Sequence, residues 1–188
     1  MSLARFKGQN HPQQIAKRGA LVDVDDRGTT AELFDPLNER FRFSIDVAAA
    51  AHNAKCPRFF TIDDGLAQSW ASERVWCNPP YSNLGPWVAK AWHEWRSDRP
   101  PHVIVMLVPA NRTEQAWWQD HVEPFRDRPG PCWPCRRGGP LTVEFLRGRQ
   151  RFILPGHTEV LPNQRPPFGV ALLIWQDPDL ERLDEVDR

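Results

Sequence analysis

Residues 102–109 read HVIVMLVP, and every side chain from Val103 to Val108 is apolar. A strand with one face in water alternates apolar and polar residues, whereas an unbroken apolar run is typical of a strand covered on both faces. Strands of this kind occur in sheets that carry helices on each side. The run therefore predicts a central strand of an α/β protein.

The segments on either side of this strand have a helical period. Residues 85–96 begin with an early proline and present apolar side chains three and four positions apart. These side chains are Trp87, Val88, Ala91, Trp92 and Trp95. Residues 111–122 predict a second helix, with Asn111 or Thr113 as its N-cap, and residues 31–41 predict a third.

Shorter apolar segments predict the remaining strands. Residues 41–47 (FRFSIDV) alternate apolar and polar side chains, residues 74–77 (RVWC) form a buried run, and residues 168–175 (FGVALLIW) form a last strand. Residues 142–146 (TVEFL) and 150–154 (QRFIL) are expected to pair as a hairpin around Arg-Gly-Arg. Strands that alternate with helices predict a three-layer α/β sheet.

Two polar residues fall where predicted strands end. Asp46 closes the first strand, and Asn78 follows the strand of residues 74–77. Ligands of open α/β sheets bind at the carboxyl ends of the strands, so we expect Asp46 and Asn78 to share one crevice. Residues 59–70 (FFTIDDGLAQSW) are expected to form an irregular loop with Asp64-Gly65 as a turn.

The segment Asn78-Pro79-Pro80-Tyr81 has an unusual hydrogen-bonding character. Proline has no backbone N–H and holds φ near −65°, so this elbow accepts hydrogen bonds in a fixed geometry. The Asn78 side-chain oxygen and the Pro79 carbonyl can each accept one hydrogen of an exocyclic amine, which directs the nitrogen lone pair at an electrophile. Tyr81 offers a ring for base stacking, worth about 1–3 kcal/mol.

A base inside a duplex cannot reach such a pocket and must be flipped out. The elbow therefore predicts methylation of a base amine by a sulfonium donor. The structural alternative is a strand-ending turn with a packed tyrosine.

Charge is balanced overall and unevenly distributed. The chain has 24 basic and 24 acidic residues, so it has no global attraction for nucleic acid. Residues 126–151 are rich in arginine and residues 177–188 are rich in acids. They indicate either a nucleic-acid face or a solvated loop and tail. We expect a mobile polar arm (1–20), one domain (21–176) with a loop insertion (128–140), and an acidic tail.

Nothing in the sequence indicates a membrane segment. No apolar run approaches the roughly 20 residues that span a bilayer, and the N-terminal residues lack the apolar stretch of a signal peptide. A cytoplasmic protein with reduced cysteines and no obligate protein partner is expected.

Cys132 and Cys135 form a C-x-x-C pair. A structural zinc site needs four ligands, and Cys56 and Cys77 are isolated in the sequence. We predict a reduced loop and no metal, with metal binding as the alternative.

The stretch from Thr29 to about Trp175 resembles the phage-type DNA N-6-adenine methyltransferase (Dam) family. The similarity rests on residues 43–70 (FSIDVAAAAHNAKCPRFFTIDDGLAQSW) followed by residues 74–81 (RVWCNPPY). The resemblance implies a compact Rossmann-like methyltransferase fold and S-adenosylmethionine as methyl donor. It also implies adenine in double-stranded DNA as acceptor, and a phage or prophage origin.

The resemblance also implies roles for particular residues. The catalytic motif matches Asn78, Pro79, Pro80 and Tyr81. The cofactor-binding candidates are Asp46, Asp64 and Thr29. The DNA-binding candidates are Arg147 and Arg149, which the similarity covers, and Arg136 and Arg137 of the loop insertion. The structural alternatives are a helix cap or surface strand end for Asp46, an N-cap for Thr29, a turn for Asp64 and solvated surface for the arginines.

Two features depart from the family pattern. Thr30 stands where the family has a proline, and VAAAA follows Asp46 where a methyltransferase usually has a glycine-rich loop. Two alternatives stay open. The Asn-Pro-Pro-Tyr elbow would also serve methylation of RNA or of a protein glutamine. The missing glycine-rich loop would fit a degenerate cofactor site and a non-catalytic DNA-binding relative.

Overall fold

The computed structural model describes residues 25–126, 141–162 and 166–176. Several predictions fall outside these ranges: the polar arm (1–20), the loop insertion (128–140) with Cys132, Cys135, Arg136 and Arg137, and the acidic tail (177–188).

The described chain forms strands and helices in alternation. In chain order they are β1 (Gly28–Thr29), α1 (Ala31–Phe41), β2 (Ile45–Asp46), α2 (Ile62–Ala67), β3 (Arg74–Cys77), α3 (Leu84–Trp95), β4 (Val103–Pro109), α4 (Ala116–His121), β5 (Thr142–Phe145), β6 (Phe152–Ile153) and β7 (Val170–Gln176).

Five of these strands form one mixed sheet in the order β2-β3-β4-β7-β5. Strands β2, β3 and β4 are parallel, while β7 runs antiparallel to both β4 and β5. The short strands β1 and β6 form a separate antiparallel pair. The chain is thus an α/β protein, as the sequence predicts.

Helices cover both faces of the sheet, and strand β4 lies at its centre. Ile104, Met106 and Val108 point to the face covered by α3, where they join a core that includes Trp87 and Trp92. Val103, Val105 and Leu107 point to the opposite face, in a core with Leu33, Phe34 and Phe41 of α1. Every β4 side chain is buried, which confirms the prediction from the apolar run.

The predicted hairpin between residues 142–146 and 150–154 is wrong. Strand β5 pairs with β7, with Phe145 opposite Ala171. Strand β6 pairs instead with β1, with Phe152 opposite Thr29. Strand β7 is apolar and buried, so its free edge needs a partner strand to satisfy its backbone groups, and β5 supplies one.

The predicted irregular loop at residues 59–70 is also wrong, because it contains helix α2. Thr61 caps the helix, since its Oγ1 accepts a hydrogen bond from the Asp64 backbone N–H at 3.2 Å. Gly65 is buried inside the helix and does not form a turn. Its carbonyl accepts a hydrogen bond from Trp70 Nε1 at 2.9 Å, which ties the helix end to the core.

Two other elements are shorter than predicted. Helix α4 begins at Ala116 with Gln115 as N-cap, so neither Asn111 nor Thr113 caps it. The preceding residues form turns, in which the Arg112 guanidinium donates to the Tyr81 carbonyl. Strand β2 has only two residues, because α1 extends through Phe41 before it and the chain bends directly after Asp46.

Candidate functional site

The carboxyl ends of β2 and β3 bring two of the predicted site residues together. Asp46 is the last residue of β2 and pairs in register with Trp76 of β3, two positions before Asn78. Neighbouring strands lie about 4.8 Å apart, so the two strand ends are adjacent. Asp46, Asn78 and Thr29 line one cleft. The shared crevice expected from the strand ends is therefore present.

Asp46 is a buried acid held by backbone donors. Its side chain accepts hydrogen bonds from the backbone N–H of Ala48, at 3.3 Å, and of Lys55, at 3.0 Å. Burial raises the pKa of Asp46 to about 6, and these two N–H groups and the Lys55 charge only partly oppose the rise. At neutral pH the carboxylate is ionised, and each oxygen keeps a second lone pair for a ligand.

Three residues that line the cleft have a buried polar atom without a hydrogen-bond partner in the described part of the chain. The atoms are Arg27 Nε, Thr29 Oγ1 and Trp76 Nε1. Each of them can donate a hydrogen bond. A buried polar group left unsatisfied costs about 1–3 kcal/mol, so such atoms usually have a partner. A ligand with acceptor oxygens would supply it.

Residues 25–29, which we call the strap, cross the Asn-Pro-Pro-Tyr elbow. The Asn78 Nδ2 group donates to the Arg27 carbonyl at 3.1 Å. The Asp25 carboxylate accepts hydrogen bonds from the Ser82 backbone N–H, at 3.0 Å, and from the Ser82 hydroxyl. The strap thus contacts Asn78, where the elbow begins, and Ser82, the residue after the elbow.

The other members of the elbow lie outside the cleft lining. Pro79 and Pro80 are buried. The Tyr81 ring packs against Phe152 and Phe168, with both pairs of ring centroids 6.1 Å apart. Its hydroxyl is buried without a hydrogen-bond partner among the described residues, and burial raises the pKa of Tyr81 well above its usual range.

The remaining predicted residues are not brought to the cleft. Asp64 is exposed, accepts a hydrogen bond from the Thr61 hydroxyl at 2.7 Å, and is not part of the cleft lining. Arg147 and Arg149 are exposed on the connection between β5 and β6, next to the exposed Phe145. Arg136 and Arg137 lie outside the described residues.

Sequence reasoning missed several residues that line the cleft. They are Asp25, Asp26, Arg27, Asn53, Lys55 and Trp76. Their closeness in sequence to predicted site residues was the available signal, because Asp25, Asp26 and Arg27 lie two to four residues before Thr29, and Trp76 lies two residues before Asn78. The polar pair Asn53 and Lys55 also falls inside the segment that carries the family resemblance.

Within residues 25–126, 141–162 and 166–176, no group of three or more His, Cys, Asp or Glu side chains is arranged to hold a metal ion. Cys56 and Cys77 are free thiols in the core. Among the helices in these same ranges, none has the length and apolar character needed to cross a membrane.

The family model described as DNA N-6-adenine-methyltransferase (Dam) matches residues 20–128, and the chain belongs to this family. A DNA N-6-adenine-methyltransferase of Escherichia phage T1 is 29% identical over 119 residues, which cover 62% of this chain and 45% of that protein. A second DNA N-6-adenine-methyltransferase, from Haemophilus phage HP1 (strain HP1c1), is 39% identical over 51 residues, or 27% of this chain and 30% of that protein.

The chain thus covers less than half the length of either relative. No solved structure matches the chain significantly.

Proposed function

We propose that the chain is a DNA methyltransferase that transfers a methyl group from S-adenosylmethionine to the N6 amine of adenine in double-stranded DNA. The observation that carries the proposal is the position of Asn78. It follows strand β3 at the sheet edge where Asp46 and Thr29 line the same cleft. The family membership and the names of the two phage relatives support the same activity.

The proposal includes a compact Rossmann-like methyltransferase fold. Three parallel strands continued by an antiparallel strand, with helices on both faces, are compatible with it. In sheets of this kind the carboxyl ends of the parallel strands hold the ligand. This is the edge at which the cleft lies.

The residues of the cleft fit S-adenosylmethionine. The unpaired donors of Arg27, Thr29 and Trp76 suit the carboxylate and hydroxyl oxygens of this molecule. The ionised Asp46 suits its hydroxyl groups or its positive charge. When bound, the cofactor would supply the electrophilic methyl group. These contacts would replace the glycine-rich loop that the sequence lacks after Asp46.

Asn78 and Pro79 would activate the target amine. The lone pair of adenine N6 is delocalised into the ring, which makes it a weak nucleophile. The Asn78 Oδ1 and the Pro79 carbonyl would each accept one hydrogen of this amine, so that the lone pair points at the methyl donor. Because Pro79 and Pro80 are buried and have a fixed φ, the elbow would hold the two acceptors in place without reorganisation.

Tyr81 would stack against the flipped base. Phe152 and Phe168 hold its ring, which stays half-buried, and Phe152 is paired with Thr29 through β1 and β6. The aromatic group is thereby linked to the cofactor side of the cleft.

For DNA contacts we propose Arg147 and Arg149 beside the exposed Phe145, with Arg136 and Arg137 from the loop insertion. Asp64 stays a weaker cofactor candidate, since its carboxylate accepts a hydrogen bond from the Thr61 hydroxyl at the start of α2.

Methyl transfer from labelled S-adenosylmethionine to unmethylated DNA tests the proposal. After digestion, the modified nucleoside should be N6-methyladenine. Asn78→Ala should lower the rate at least 100-fold, in line with the loss of one donor or acceptor that acts on the reacting group. Asn83→Ala is a matched control, because Asn83 is exposed and makes no capping hydrogen bond at the start of α3.

Parallel incubations with RNA and with a glutamine-containing protein separate the other acceptors. Label in either of them, with none in DNA, would overturn the choice of acceptor. If calorimetry shows no binding of S-adenosylmethionine, the proposal that the chain is an enzyme would be overturned, and a non-catalytic DNA-binding relative would be favoured.

A further inference from the structure

An asparagine that activates an amine has to be held in one of two orientations. Its side-chain amide has two donor hydrogens on Nδ2 and two acceptor lone pairs on Oδ1. Only the orientation that presents Oδ1 can accept hydrogens from the target amine. The rotated amide presents donors and opposes binding, so an active site of this kind needs a group that selects the orientation.

The Arg27 carbonyl is such a group. It accepts the hydrogen bond from Asn78 Nδ2 at 3.1 Å. A backbone carbonyl accepts hydrogen bonds and cannot donate them. Rotation of the amide would therefore replace this hydrogen bond with two oxygens facing each other. With Nδ2 committed to Arg27, Oδ1 is left as the acceptor.

Asp25 is one of the contacts that set the position of the Arg27 carbonyl, and it is the one made to the residue that follows the elbow. The Asp25 carboxylate accepts both the backbone N–H and the hydroxyl of Ser82. Hydrogen bonds to a charged acceptor are stronger than neutral ones. Ser82 lies just beyond the diproline and Asn78 just before it, so the rigid elbow fixes the spacing between the two contacts of the strap.

The other side of the strap is fixed independently. Gly28 and Thr29 pair with β6 in the separate two-stranded sheet. The Asp26 carboxylate accepts a hydrogen bond from Asn53 Nδ2 at 2.9 Å and contacts His52 Nε2 at 3.2 Å. These contacts hold the strap to β6 and to residues 52–53, whereas Asp25 ties it directly to Ser82, the residue after the elbow.

We infer that Asp25 is a positioning residue for the reaction: through Ser82 it holds the Arg27 carbonyl on Asn78, and so keeps Oδ1 of Asn78 facing the amine to be methylated. The inference rests on the proposed function for its role in catalysis. The hydrogen-bonding arrangement can be tested without activity.

The kinetic test uses the full chain with S-adenosylmethionine and DNA. Asp25→Ala should lower kcat about tenfold, which corresponds to about 1.4 kcal/mol in the activation free energy. Asp25 also lines the cleft, so the Kd for S-adenosylmethionine is measured separately, and the fall in kcat should exceed the rise in Kd because Asp25 acts on the chemical step through Asn78. Asp25→Asn keeps an acceptor oxygen for the Ser82 N–H and should restore most of kcat. Glu39→Ala, on the exposed surface of α1, is the control.

Ser82→Ala provides a second variant that does not alter the strap. It removes one of the two donors to Asp25, so it should lower kcat by a smaller factor. Added to Asp25→Ala it should cause no further loss, since both act through one contact. A fully additive double variant would contradict the inference, as would an Asp25→Ala variant that loses cofactor affinity and keeps kcat.

The Asn78 side-chain amide can also be observed directly by NMR. Its pair of amide signals, assigned by their absence in Asn78→Asp, should exchange slowly in the wild type and much faster in Asp25→Ala. Unchanged signals in Asp25→Ala would overturn the inference, even if the wild type methylates DNA. A wild type without methyl transfer, but with signals that respond to Asp25→Ala, would overturn the proposed function and leave the hydrogen-bonding arrangement intact.

Discussion

At the scale of single residues, Asp46 shows how a buried carboxylate stays ionised at neutral pH although burial destabilises its charge. The carboxylate is only 3% exposed, and water no longer stabilises its charge. Two backbone N–H groups compensate in part, yet the net effect of burial is a raised pKa. The residue is thus kept ionised at neutral pH at some cost in stability, which is common for groups that serve a ligand.

This cost makes the stability of the protein depend on pH through Asp46. The pKa rises from 3.8 in the unfolded chain to about 6 in the folded protein. The folded state therefore binds more protons between these values, and stability falls as pH rises from about 4 to about 6. Relative to Asp46→Asn, the wild type should lose about 3 kcal/mol in total between about pH 3 and pH 7, with most of the loss between the two pKa values.

Chemical denaturation at a series of pH values measures the difference between the two proteins. Glu32→Gln on the exposed surface of α1 controls for general charge effects. Parallel pH profiles for wild type and Asp46→Asn would show that burial does not raise this pKa.

At the scale of elements, the placement of helix α2 depends on one glycine. A Cβ atom on Gly65 would lie 1.9 Å from the Val47 carbonyl oxygen and 2.9 Å from the Trp87 ring. The helix can approach the end of β2 this closely only because Gly65 has no side chain. The same helix places Ile62 in the lining of the cleft, so its packing also shapes the site.

Gly65→Ala should therefore destabilise the protein by about 3 kcal/mol or more, since the clash is with backbone and cannot be relieved by a rotamer change. Gly85→Ala in α3 is the matched control. Its Cβ would meet only Trp117 Cβ at 3.8 Å, an ordinary contact, and alanine favours the helix. Urea unfolding compares the midpoints of the two variants, and the midpoint of Gly65→Ala should be the lower. Equal midpoints would contradict the packing argument.

At the scale of the whole molecule, charge gives no general attraction to DNA. Basic and acidic residues balance at 24 each. Attraction to phosphates must therefore come from local surfaces. The connection between β5 and β6 is one of them, because Arg147 and Arg149 are exposed there and form no ion pair with any other described residue.

If these arginines contact phosphates, Arg147→Ala with Arg149→Ala should weaken DNA binding and flatten its salt dependence. Each lost phosphate contact changes the slope of log K against log salt by about 0.9, so the pair should change it by about 1.8. Arg99→Ala is the control, since Arg99 precedes β4 and lies at the opposite edge of the sheet from the cleft. Fluorescence anisotropy over a salt series gives the slopes. An unaltered slope in the double variant would show that Arg147 and Arg149 do not contact phosphates.

The sequence alone predicted the elements whose pattern is strong and local. Strand β4 and helix α3 were found because each carries a long apolar pattern with one clear period. The strand ends then placed Asp46 and Asn78 in one crevice by a general rule of α/β sheets. The family resemblance added Thr29, whose hydroxyl is buried in that cleft.

Tertiary structure decided what depends on distant partners. The predicted hairpin was wrong because β5 and β6 each have a more favourable partner elsewhere, in β7 and β1. Helix α2 was missed because Gly65 is needed for contact with Val47 and was interpreted as part of a turn. The contact between the strap and Ser82 was missed because Asp25 and Ser82 are 57 positions apart. A local sequence pattern cannot predict a hydrogen bond between residues so far apart in the chain.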